Sequence, residues 1–230
     1  MSIALLYLLC GAIAGFLSGL IGIGGGLVVV PLLNIIFGLQ GIIAPEMIMH
    51  VAVATSLSSI LFTAVSSTRS HARRNSVLWD YVRGLAPAIV LGTLCAAWLA
   101  ARMSTQGLRS FFVVFLFCVA TQMLFDYYPQ PRTFMPSKMT LASAGFIIGS
   151  VSSLVGLGGG SMSVPFMRWC GVKMRQAVGT SAAISWPIAV SGTLGFLVTG
   201  WGAPGLPPWS LGYVYLPATL GIACSSVLFA

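Results

Sequence analysis

The chain has 230 residues, 57% of them hydrophobic and only 6% charged, with a mean hydropathy of +0.99 and a formal net charge of +8. Soluble domains carry about 25% charged residues, so a water-soluble enzyme or binding module is excluded and an integral membrane protein is implied. Apolar stretches of about 20 residues span a bilayer as helices, whereas a membrane barrel would alternate over segments of about ten residues; the pattern here is helical.

In chain order, a first helix is predicted over Ile3–Ile21, followed by GIGGG at Gly22–Gly26 and a short apolar arm, Leu27–Phe37, that contains Pro31. Without a basic leader or a small-residue cleavage site, the first run reads as mature structure rather than a signal peptide. A turn over Gly38–Pro45 leads to a helix over Glu46–Ser66, rich in hydroxyls. Arg69, His71, Arg73, Arg74 and Arg83 then mark a cytoplasmic connection by the positive-inside rule. Helices over Val82–Ala101 and Leu108–Phe125 precede a proline-rich connector, and another over Met139–Val155 ends at GLGGG, Gly156–Gly160. A second short arm, Ser161–Cys170, carries Pro165; Arg168, Lys173 and Arg175 mark another cytoplasmic turn. A helix over Gln176–Thr199, an uncharged loop over Gly200–Pro208 and a last apolar run, Ser210–Ala230, complete the chain.

The two halves resemble each other. At an offset of 134, residues 15–31 match 149–165 at nine of seventeen positions, and at an offset of 125, residues 52–68 match 177–193 at eight of seventeen, pairing Thr55 with Thr180 and Ser56 with Ser181. The first copy holds five apolar segments, and an odd number of crossings turns the second upside down. The expected fold is therefore an all-α polytopic bundle of two inverted-topology repeats with glycine-broken helices. Residues 1–128 form the first repeat, 129–138 the connector and 139–230 the second repeat. The second copy lacks its last helix, and a C-terminally shortened form is favoured over a dispensed tenth segment.

Contiguous glycines cost about 1 kcal/mol each in a helix, so unwound or tightly turned backbone is expected at both clusters. Gly11, Gly15 and Gly19, and Gly145 with Gly149, are assigned instead to close helix packing. Irregular backbone at membrane depth survives only where protein or a water-filled cavity satisfies it, which implies a cavity between the breaks. Each arm begins at a break, and its N-terminus carries roughly +0.5 of a charge; two such ends balance a monoanion. The candidate substrate-binding residues are Gly24, Gly25, Gly26, Thr55, Ser56, Gly158, Gly159, Gly160, Ser161, Thr180 and Ser181, the hydroxyls being read evenly as ligand donors or as interhelical bonds. His50 reads first as an interfacial structural histidine and second as a proton site. The five cysteines have neither metal nor disulfide spacing.

These features resemble the TauE/SafE family of sulfite and organosulfonate exporters, also called the toluene sulfonate uptake permease family. The resemblance rests on GIGGG with Pro31, Ala54–Leu57 as ATSL, the basic loop with His71 running into Val77 and Trp79, Pro87, GLGGG with Pro165, and Gly179–Ser181 as GTS. It implies a multi-pass secondary carrier of the bacterial inner membrane that exports small sulfur-containing anions by alternating access. The expected partners are the bilayer, a small anionic substrate and a coupling proton or sodium. No cofactor, metal or nucleic acid is called for, and a homodimer stays open. So do a passive anion channel, an uptake permease of the same class, a non-transporting partner subunit and, with no catalytic pairing to support it, an intramembrane enzyme.

Overall fold

The computed structural model describes residues 3–21, 25–125 and 136–229. Among these lie nine helices: α1 (Ile3–Ile21), α2 (Gly26–Gln40), α3 (Ile48–Arg73), α4 (Trp79–Ala100), α5 (Thr105–Leu124), α6 (Lys138–Val155), α7 (Gly160–Trp169), α8 (Met174–Thr199) and α9 (Leu216–Phe229). Five of them, α3, α4, α5, α6 and α8, are long and apolar enough to cross a bilayer, and α2, α7 and α9 are shorter apolar helices. The chain is a polytopic helical bundle, as its composition requires.

At the centre α3 packs on α8. Every residue of α3 from Met49 to Ile60 is buried, and the polar ones among them, His50, Thr55, Ser56, Ser58 and Ser59, are hydrogen-bonded, as burial of polar groups demands. By contrast α5 turns Val114, Phe117 and Leu124 outward, the face that lipid covers. Around the central pair, α4 packs on α6 and α8, while α9 packs on α1 and α3. The short helices follow suit, with α2 on α3 and α7 on α8.

Small residues set these approaches. A Cβ on Gly145 would stand 2.7 Å from the Leu85 carbonyl oxygen, and Cβ atoms on Gly149 and Gly92 would meet the carbonyls of Ile89 and Phe146, so α4 and α6 touch along their backbones. Gly11 likewise admits Ile222 and Ser225 of α9. The packing role expected of Gly11, Gly145 and Gly149 is thus observed.

Three boundaries differ from expectation. α3 continues past Ser66 to Arg73, because His71 and Arg73 fall in its last turn, where cationic side chains suit the negative helix end. α2 runs on to Gln40 and stops at Gly41 in the left-handed conformation, φ 63°. The run expected over Ser210–Ala230 starts instead with a hairpin: β1 (Ser210–Leu211) pairs antiparallel with β2 (Val214–Tyr215) around Gly212–Tyr213. Gly212 has φ 54°, the sign that a two-residue hairpin turn asks of its first central position.

The connections gather into two ends. At the basic end the two arginine-rich stretches meet, Arg175 donating from Nε to Ser76 Oγ and from a terminal nitrogen to the Arg74 carbonyl. At the hairpin end the Ala44 amide donates to the Gly205 carbonyl and the Thr105 hydroxyl to the Glu46 carbonyl. The two arginine-rich stretches expected on one side of the membrane thus lie together at one end of the bundle. The proline-rich connector lies mostly outside the described residues.

Candidate functional site

The second glycine cluster is a turn built from two left-handed residues. α6 stops at Gly156, φ 75°, and the Leu157 amide closes back on the Ser152 carbonyl at 2.8 Å, the six-to-one bond of a Schellman cap. Three residues on, Gly159 at φ 82° starts α7, its carbonyl accepting from the amides of Met162 and Ser163. Left-handed backbone costs a residue with a side chain about 1–2 kcal/mol, and a Cβ at Gly159 would also collide with Ile188. The unwound or tightly turned backbone expected here is what the chain adopts.

The polar groups of this turn are unevenly satisfied. The Gly156 carbonyl accepts from Ser56 Oγ at 2.8 Å, the Gly158 carbonyl accepts from Ser185 Oγ, and the Gly159 carbonyl is taken by the helix it starts. The amides of Gly158, Gly159, Gly160 and Ser161 have no partner among the described residues. Three hydroxyls close to them, Ser152, Ser161 and Ser163 Oγ, are shielded from solvent and also unpartnered. Ser152 Oγ lies 3.5 Å from where a Gly159 Cβ would sit. The carbonyls of Gly156, Gly158 and Gly159 are tied off while four amides are left over among the described residues, so the turn presents chiefly hydrogen-bond donors to whatever approaches it.

The first cluster comes against the second. Gly25 caps α2, its carbonyl accepting from the amides of Val28 and Val29. A Cβ on Gly26 would strike the Gly156 carbonyl and stand 3.1 Å from Leu157 Cα. The cavity expected between the clusters is not what lies beside the first one, whose neighbouring hollow has no residue of the second cluster in its wall. A cavity of about 30 Å³ lies beside Gly25, lined by Gly15, Ser56, Ser59, Thr63 and Ser226 among others, which holds about one water. Val30 and Val53 close over Gly156. Gly24 lies outside the described residues.

Of the other candidates, Ser56 bonds the second break and lines the cavity beside the first, while Ser181 is buried and its carbonyl accepts from Ser185 Oγ at 2.9 Å. Thr55 and Thr180, both fully buried, use their oxygens to receive backbone amides. Thr55 Oγ1 accepts from Tyr215, the residue before α9, at 3.1 Å. Thr180 Oγ1 accepts from Leu78, the residue before α4, at 2.9 Å. Each threonine therefore clasps the start of a helix in the other half of the chain. Ser152, Ser163 and Ser185 complete the turn; Ser152 recurs in the sequence as Ser18 at the 134-residue offset, but Ser163 and Ser185 had no such mark. The 125-residue offset pairs Ser185 with Ile60, so matched recurrence passes over it.

A bundle of broken and crossing helices, with amide donors exposed at a buried turn, defines a polytopic membrane transporter of the broken-helix kind. The sequence profile described as "Sulfite exporter TauE/SafE" matches residues 7–230. The chain belongs to the TauE/SafE family. It is similar to a probable membrane transporter protein of Haemophilus influenzae, 39% identical over 96% of this chain and 84% of that protein. It is also similar to the probable membrane transporter protein YunE of Bacillus subtilis, 29% identical over 87% of this chain and 80% of that one. A third relative, the probable membrane transporter protein MJ0441 of Methanocaldococcus jannaschii, is 26% identical over 95% and 80% respectively. No solved structure matches the chain. It is thus a multi-pass membrane transporter of this family.

Proposed function

We propose that the chain is a secondary carrier that exports small sulfur-containing oxyanions, sulfite or organosulfonates, across the bacterial inner membrane, with the solute held at the glycine turns. The observation that supports this reading is the imbalance around Gly156–Ser161: the carbonyls of Gly156, Gly158 and Gly159 are bound, while four amides and three buried hydroxyls have no partner among the described residues. Such a surface stabilises an oxyanion and repels a cation, because N–H dipoles at a helix start carry positive charge and a glycine-rich turn forms an anion nest. No charged side chain is needed, so the solute can leave as readily as it enters.

The paired packing of α4 on α6 and α9 on α1, and the reciprocal threonine clasps, support two inverted repeats that rock against each other around these turns. The small volume beside Gly25, about 30 Å³, is what a closed step of such a cycle would have.

Purified protein in proteoliposomes tests the proposal through counterflow of radiolabelled sulfite or a sulfonate. Gly158 is not among the glycines with positive φ, and the atoms nearest its Cβ would be Ser185 Oγ at 2.9 Å, Ser185 Cβ at 3.1 Å and Ile60 Cγ2 at 3.4 Å, so a small shift of the Ser185 side chain admits a methyl group. Gly158→Ala should fold, yet slow counterflow by about tenfold, the equivalent of 1.4 kcal/mol. Flux that equilibrates without counterflow would mark a pore, and unchanged carriage by Gly158→Ala would place the solute elsewhere.

A further inference from the structure

At the hairpin end a cavity of about 710 Å³ is lined by Glu46, His50, Ser104, Thr105, Arg109 and Tyr213 among others. His50 forms part of its wall and is otherwise buried, 3% exposed. Its ring Nε2 lies 2.9 Å from the Ala100 carbonyl oxygen, the last residue of α4, and Nδ1 lies 3.4 Å from Thr105 Oγ1, the first residue of α5. The imidazole also faces the Tyr213 ring of the hairpin, centroids 5.4 Å apart. One side chain therefore touches the end of α4, the start of α5 and the hairpin turn.

The hydrogen bonds fix where protons can be. A carbonyl only accepts, so Nε2 carries hydrogen. The Thr105 hydroxyl has one hydrogen and two claimants, the Glu46 carbonyl and His50 Nδ1. With the hydroxyl donating to Glu46, Nδ1 meets the lone pairs of Thr105 and is served by a proton of its own. A cationic imidazole completes an unbroken chain from Nδ1–H to Thr105 and from Thr105 to Glu46. A neutral imidazole instead draws the Thr105 hydrogen to Nδ1 and frees the Glu46 carbonyl, loosening the start of α5 from the start of α3.

We propose that His50 is the proton-binding site of this carrier and that its protonation closes the hairpin end through Thr105 and the Glu46 carbonyl. Imidazole is the side chain whose ordinary charge change falls near physiological pH, and an ionisable group inside a bundle is a functional site by default. The other charged or titratable groups at this wall are accounted for. Arg109 donates to Asn34 Oδ1 at 3.2 Å, Arg102 stacks over the Trp98 ring, and the Glu46 carboxylate borders the same cavity. Burial pushes the Tyr213 phenol up, so it stays neutral while the imidazole changes state.

Coupling rests on the carrier reading; protonation does not, and the test separates them. In proteoliposomes, wild-type protein should accumulate sulfite or a sulfonate when a pH gradient is imposed. His50→Gln keeps an N–H for the Ala100 carbonyl but cannot take up a proton. It should retain counterflow at equal pH and lose the gradient-driven accumulation, a fall of about tenfold if proton occupancy sets the driving force. Undiminished gradient dependence in His50→Gln, or none in wild type, would overturn the proposal. If wild type carries none of these solutes, the carrier reading fails on its own, and ¹⁵N imidazole spectra still decide about His50. A signal that changes with proton uptake, with the Tyr213 ring shifting alongside and the shift abolished in Thr105→Val, supports the site; a signal that never changes refutes it.

Discussion

The two threonine clasps differ in what surrounds them. Thr180 holds the Leu78 amide at the basic end, where the neighbouring stretch is half-exposed and tied by polar bonds from Arg175 to Ser76 and Arg74. Thr55 holds the Tyr215 amide at the hairpin end, where Tyr7, Phe37 and Tyr215 stack edge to face with centroids 5.8–6.4 Å apart. The same bond is thus made once in a wettable setting and once in a dry one. An amide that loses its partner can turn to water in the first and has nothing to turn to in the second. The clasp at the hairpin end is therefore the costlier of the two to break, and the one at the basic end the cheaper.

Substitutions can break that contrast or sharpen it. The largest effect is expected from Thr55→Val, which keeps the shape but strands the Tyr215 amide in an apolar site. We expect a loss of about 2–3 kcal/mol, seen as a clear fall in unfolding temperature and as new labelling of a cysteine placed at Val214. Ser56→Ala should come next, at about 1–2 kcal/mol, since it leaves the buried Gly156 carbonyl without its donor and loosens α3 from the second break. Thr180→Val should cost less, about 0.5–1 kcal/mol, because water can reach Leu78; a loss equal to that of Thr55→Val would show that the two ends are equally dry. Tyr7→Phe should be smallest, about 0.5 kcal/mol or less. It removes only the phenol bond to Gln40 Oε1, 3.0 Å, and leaves the aromatic packing in place.

Much of this was legible because it depends on glycine and proline spacing. Three glycines in an apolar run announce a break whatever packs around them, and the two short arms followed from the distance between break and loop. The packing role of Gly11, Gly145 and Gly149 followed from four-residue periodicity. The hairpin at Ser210–Tyr215 was hidden, because Leu211, Val214 and Tyr215 continue an apolar run and Gly212 alone marks the turn. The length of α3 was hidden for the opposite reason: a basic tail reads as loop until its charges are set against a helix end. Hydroxyls were the least legible. A serine in an apolar helix can bond its own preceding turn, as Ser59 does to the Thr55 carbonyl, or reach another element, as Ser56 and Ser185 do. Only the assembled bundle says which. The same holds for Thr55 and Thr180, whose matched positions were visible but whose oxygens are shown only by the structure to receive helix-starting amides.

The central claim is that main-chain amides at Gly158, Gly159, Gly160 and Ser161 receive the anion. Their resonances in isotopically labelled protein in lipid nanodiscs, followed while sulfite is titrated at constant ionic strength, report on it directly. We predict saturable shifts confined to these four amides and the Ser152, Ser161 and Ser163 side chains, with no response when one alkali cation replaces another. Amides that stay unmoved at sulfite concentrations that the protein demonstrably carries would contradict it.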